Sequence, residues 1–128
     1  MSEVTLNCVL LADRHQGLME GVRGLLSAVA TTVVMVADET SLLDGASQLQ
    51  PEVIVVDLSI SSAGSMRWLH ELRTRCPLAR VIVLSVHDEA SVRRTVLEAG
   101  VDGFVLKRAV ATGLLPAIEA ALAGPAVA

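Results

Sequence analysis

Tyrosine is absent, and Trp68 and Phe104 are the only aromatic residues among 128. A core of stacked rings is therefore excluded. Its volume has to come from Val, Leu, Ile and Ala, and hydrophobic residues make up 52% of the chain, enough to exclude global disorder. Cysteine is scarce too: Cys8 and Cys76 form no C-x-x-C pair and build no disulfide framework, so they read as core filler or incidental thiols in a reducing compartment. No run of Lys and Arg occurs and the formal net charge is −4, so nothing suggests a nucleic-acid surface. No apolar run reaches transmembrane length and the N-terminus carries no signal-peptide pattern, which predicts a cytoplasmic chain without membrane contact. Internal repeats, low-complexity segments and internal linkers are missing as well. The length suits one domain spanning 1–128, with 124–128 as the possible start of a linker.

What is present alternates. Strand-like apolar runs occupy 5–12, 32–37, 52–57, 80–85 and 102–107, and helical spacing occupies 17–29, 41–49, 65–76, 89–100 and 113–124. In the first helix Leu18, Met19, Val22, Leu25, Leu26 and Val29 share a face. Leu42, Leu43, Ala46 and Leu49 do so in the second, Leu69, Leu72 and Cys76 in the third, and Val92, Val96 and Ala99 in the fourth. Gly100 is the expected stop of the fourth helix. "VVMVA", "VIVV" and "VIVL" are continuous rather than alternating, the pattern of strands buried on both faces of a parallel sheet. Right-handed crossovers then give an α/β three-layer sandwich with helices on both faces.

Ligands of such folds bind outside the carboxyl ends of the strands. The first strand is followed by Asp13, Arg14 and His15; the third ends at Asp57; the fourth ends at Ser85, with His87 and Asp88 beyond; the fifth ends at Lys107. Paired carboxylates attract a hard divalent cation, a lysine neutralises an anion, and a hydroxyl donates to it. The set suits a phosphoryl group placed on a carboxylate. Each residue also has a plainer reading: an aspartate closing an apolar strand can be a cap, Lys107 a solvated strand end, Phe104 simply core, and Ser85 alone signals little. His15 and His87 with Asp13 form a weaker candidate for a transition-metal site.

"LLADRH", "VIVVDLS", "VIVLSVHDE" and "EAGVDGFVLKRA" resemble, in order and spacing, the motifs of response-regulator receiver domains, of the type attached to LuxR-type DNA-binding domains. The resemblance implies a flavodoxin-like receiver fold, a five-stranded parallel sheet in order 2-1-3-4-5. It implies a signalling phosphoacceptor, not an enzyme in the ordinary sense: Asp57 takes a phosphoryl group from a sensor histidine kinase. Asp13 and Asp57 would hold Mg²⁺ together with the backbone carbonyl of Ser59. Ser85 would hydrogen-bond the phosphoryl group and Lys107 would pair with it. In the switch, Ser85 moves toward the new charge and Phe104 fills the vacated space. The implied partners are the kinase and a C-terminal DNA-binding domain outside this chain.

Arg14 departs from the family pattern. It stands where a second carboxylate usually contacts the metal, and exchanging −1 for +1 weakens a cation site. The arginine is expected to enter the pocket and pair with Asp57 or Asp13, unless it points to solvent. Ser61 stands where the family often has proline, and only Gly64 remains of a Gly-rich turn. A second function class follows: a degenerate receiver serving as a phosphorylation-independent interaction module. A metal-dependent hydrolase on the same fold ranks last, because Ser59 interrupts the D-x-D of aspartyl-phosphate hydrolases. In the last helix Leu114, Ile118, Ala121 and Leu122 can face the sheet, Pro116 predicts a start at about residue 113 or later, and Glu119 is the only charge from Ala109 onward. An apolar outer face there suits a homodimer or a docked output domain.

Overall fold

The computed structural model describes residues 5–15, 17, 19–61 and 65–124. The apolar runs become β1 (Leu6–Ala12), β2 (Ala30–Val36), β3 (Val53–Asp57), β4 (Arg80–Ser85) and β5 (Gly103–Leu106). All pair in parallel, in the expected order β2-β1-β3-β4-β5. The helices are α1 (Met19–Ser27), α2 (Glu39–Leu49), α3 (Arg67–Arg75), α4 (Ala90–Glu98) and α5 (Val110–Ala123).

Alternation along each strand divides the apolar side chains between two layers. Leu10, Ile54, Val56, Val81 and Val83 point toward α2, α3 and α4, where Leu42, Ala46, Trp68, Leu69, Leu72 and Val96 meet them. Val9, Leu11, Val53, Val55, Ile82 and Leu84 point the other way, onto Met19, Val22 and Leu26 of α1 and Leu114, Ile118 and Ala121 of α5. Cys76 is buried and its Sγ donates to the Ala46 carbonyl at 2.8 Å. Burial raises the thiol pKa of Cys76, and burial together with Glu52 raises that of Cys8, so both stay protonated at neutral pH.

Several expectations change. β2 is not buried on both faces: it is the edge strand, and Val33 to Val36 are only half-buried because no neighbour covers the far side. α2 begins two residues early, since the Asp38 carboxylate accepts the Ser41 N–H at 2.7 Å and caps it. Ala99 is exposed, lying past the last turn of α4, and Gly100 ends the helix at φ +99°. α5 starts at Val110, not at 113 or later, and Pro116 lies inside it. A proline there leaves the Thr112 carbonyl without its helical donor. Both residues are exposed, so water can satisfy that carbonyl. Leu18, Gly64 and most of the expected linker lie outside the described residues.

Arg73 fastens the far end of the sheet. Its guanidinium donates to the Ala79 carbonyl at 2.9 Å, to the Gly100 carbonyl, and to Asp102 at 2.9 Å. Asp102 also accepts the Val81 N–H at 2.8 Å. One side chain thus ties α3 to the starts of β4 and β5. Arg73→Met keeps most of the packing and removes these charge-assisted bonds. A loss of about 2 kcal/mol is expected in urea unfolding, and a loss within error of zero would show that solvent replaces the network.

Candidate functional site

Parallel pairing brings the carboxyl ends of β1, β3, β4 and β5 to one edge. Ala12 sits beside Val56 in register, so Asp13 and Asp57 follow side by side. Asp13 is fully buried and Asp57 is 3% exposed. Carboxylates at such depth need partners. Lys107, the residue after β5, supplies one for both: its Nζ lies 2.7 Å from Asp13 Oδ2 and 2.9 Å from Asp57 Oδ1. Burial pulls the lysine's pKa down, but hydrogen bonds from its ammonium to Asp13 and Asp57, with their charges, prevail and hold it above the usual value.

The remaining carboxylate oxygens are engaged as well. Asp13 Oδ1 accepts the His15 backbone N–H at 2.7 Å. Asp57 Oδ2 accepts the Ser59 N–H at 2.9 Å and the Ser59 hydroxyl. Asp57 thereby caps the short 3-10 turn Leu58–Ile60. Ser85 is buried at the end of β4, yet its hydroxyl is turned to its own loop. It accepts the His87 N–H at 2.9 Å and donates to the His87 carbonyl. Asp57 and Ser85 line one cavity of about 420 Å³, walled by Leu58, Met66, Val92 and Val96.

Arg14 does not enter the pocket. It is exposed and forms no ion pair with Asp13 or Asp57; Lys107 holds the place between them. His15 and His87 do not converge on a metal site either. His15 lies 3.6 Å from Asp13, whereas His87 faces Glu89 at 3.7 Å. Phe104 is half-buried against the α2–α4 layer, with the Arg93 guanidinium 5.4 Å from its ring centroid.

Two contacts escaped the sequence reading. The Ser59 hydroxyl on Asp57 had a visible signal, since Asp-x-Ser is a turn spacing in which the carboxylate accepts from two residues on. The Arg108–Asp88 ion pair, 2.8 Å, had none, because its partners are 20 residues apart on different loops. The hydrogen bond and charge of Arg108 lower the Asp88 pKa. The pair clasps the β4–α4 loop to the β5–α5 loop.

Receiver domains generally bind Mg²⁺ at an acidic pocket. The donors of this chain do not fit a tightly held divalent ion. Among the described residues no group of three His, Cys, Asp or Glu side chains lies close enough to hold a metal. Two carboxylates remain, and every one of their oxygens already accepts a hydrogen bond or an ion pair.

Comparison with known proteins gives the kinship. Residues 9–119 match the response regulator receiver domain. The nitrate/nitrite response regulator protein NarP of Escherichia coli K12 is 33% identical over 129 residues, which is 99% of this chain and 60% of that protein. NarL of the same organism is 32% identical over 122 residues, covering 93% of this chain and 56% of NarL. The chain thus spans little more than half the length of the curated relatives it matches. Among solved structures, a LuxR-family two-component response regulator from Aurantimonas sp. SI85-9A1 superposes with a TM-score of 0.83 at 28% identity, over 94% of this chain and 86% of that one. The signal receiver domain of the putative response regulator NarL from Mycobacterium tuberculosis gives 0.79 at 26%, over 94% and 99%. Strand order, site geometry and a family match over residues 9–119 agree, and the chain belongs to the response regulator receiver domain family.

Proposed function

We propose that this receiver domain accepts a phosphoryl group on Asp57 from a sensor histidine kinase and passes the change to an output domain. The observation that carries the reading is the Lys107 bridge. A buried carboxylate at the end of the central strand is held 2.9 Å from an ammonium that can stay with the new anion once the acyl phosphate forms. Ser85 and Phe104 are the switch. The Ser85 hydroxyl trades its bonds to His87 for the phosphoryl oxygens, and Phe104 moves into the space it leaves. The domain extends over 1–128, and the output is a C-terminal DNA-binding domain beyond this chain, as in transcription regulators of the NarL type. The chain acts in the cytoplasm; no described helix is long and apolar enough to cross a membrane. The outer face of α5 carries Ala111, Thr112, Pro116, Ala120 and Ala123 with Glu119 as its one charge, and this surface suits a second copy or the output domain.

The test is the intact mass after incubation with acetyl phosphate. One phosphoryl group is expected on the wild type and none on Asp57→Ala. An adduct that survives Asp57→Ala would put the acceptor elsewhere.

A second reading is favoured by the closed ion-pair network around Lys107. In it, the domain is degenerate and binds its partner without phosphorylation. Equal partner binding by wild type and Asp57→Ala would support it.

A further inference from the structure

We infer, resting on the phosphoacceptor reading above, that Arg14 carries the charge a divalent cation would otherwise bring to this site: its guanidinium binds the oxygens of the phosphoryl group on Asp57, and the transfer proceeds without a metal ion.

Charge is the first support. Asp13 and Asp57 contribute −2, and Lys107 and Arg14 contribute +2. Asp13, Asp57 and Lys107 alone leave the pocket at −1, and Arg14, outside it at the same edge, brings the sum to zero when it turns inward; a divalent ion would then leave an excess of +2. Donor chemistry is the second. The oxygens a metal would need are held by Lys107, His15 and Ser59, and among the described residues no third carboxylate joins them.

Position is the third. The register that sets Ala12 beside Val56 brings Asp13 beside Asp57, and Arg14 is the next residue, on the loop that leaves β1 at this same edge of the sheet. Arg14 is exposed and makes no hydrogen bond or ion pair among the described residues. Turning toward a new anion therefore breaks no existing contact. A planar guanidinium matches two phosphoryl oxygens at once, and such bonds are short and strong.

The reaction balances without a further reactant. An Asp57 carboxylate oxygen attacks the phosphorus of acetyl phosphate. The bond from phosphorus to the acyl oxygen breaks, and acetate leaves with the electron pair. Lys107 and Arg14 then face the dianionic group. Neither gives up a proton.

The experiment measures adduct formation with acetyl phosphate by intact mass, in EDTA and in Mg²⁺, for the wild type, Arg14→Gln and Arg14→Asp. Wild-type rates are expected to agree in the two buffers. Arg14→Gln should slow the reaction in EDTA by about tenfold or more, the loss of one charge-assisted contact. Arg14→Asp should form no adduct in EDTA and recover in Mg²⁺. In calorimetry this variant should bind Mg²⁺ at least tenfold more tightly than the wild type. A wild-type adduct that requires Mg²⁺, or one in EDTA that Arg14→Gln leaves unchanged, overturns the assignment while leaving Asp57 as acceptor. No adduct under any condition overturns both readings.

Discussion

Lys107→Ala should cost about 3 kcal/mol of stability in urea unfolding at neutral pH. The substitution leaves Asp13 and Asp57 side by side beneath the surface without the ammonium that both now share. Breaking a buried ion pair by removing one partner is expensive because the other charge stays behind. Lys107 retains some contact with solvent, its side chain being 16% exposed, which puts the estimate at the low end of the range. The pH dependence has a definite sign. The lysine's pKa is raised above 10.5 in the folded protein, so its contribution is fully present below the unfolded value and is lost as pH rises through the folded one. The gap between wild type and Lys107→Ala should therefore hold from neutrality to about pH 10 and close above it. A gap below 1 kcal/mol at neutral pH would mean that water reaches both carboxylates and screens them.

Trp68→Ala should destabilise by about 4 kcal/mol, through lost transfer free energy and the cavity left behind. Trp68 is 1% exposed and packs with Leu69 and Leu72 against the central strands. Its indole N–H is buried and has no hydrogen-bond partner among the described residues. Trp68→Phe is the informative control. It keeps most of the ring volume and removes the unmatched donor, so its cost should stay below about 1.5 kcal/mol. Circular dichroism in urea, which does not depend on the lost fluorophore, measures both. A Phe variant as unstable as the Ala variant would show that the indole N–H finds an acceptor the packing conceals.

The sheet was legible because β3 and β4 carry uninterrupted Val/Ile/Leu runs closed by a polar residue, and β1, β2 and β5 hold shorter apolar runs of strand length. Asp57 and Ser85 end their strands and Asp13 and Lys107 follow theirs directly, so topology alone gathers them on one edge. The limits have equally specific causes. Helical spacing gives the phase of a helix but not its last turn, and so Ala99 read as inward. Edge position comes from pairing rather than composition, and β2 therefore resembled a central strand. Pro116 looked like a helix start because the rule against interior proline assumes a buried backbone, whereas here the freed carbonyl is on the wet side. Trp68 escaped the inward face of α3 because Leu69 and Leu72 already supplied the pattern. Arg14 illustrates the deepest limit. Its long side chain has several rotatable bonds, and its identity states a charge without stating a direction.

The thin anchorage of α4 has an energetic corollary. Val96 is its only buried residue and Val92 is half-buried, whereas α1, α3 and α5 each sink three side chains. Burial of one valine and part of another is worth about 3 kcal/mol. An equilibrium held by so small a difference leaves the helix displaced in about one molecule in a hundred, and a bias of about 3 kcal/mol brings the two states to equal population. New charge-assisted hydrogen bonds at Ser85 are of that size. The central strands β3 and β4, buried along almost their whole length, have no comparable low-lying alternative. The molecule thus combines a stiff platform with one helix whose populations can be redistributed from the neighbouring strand end.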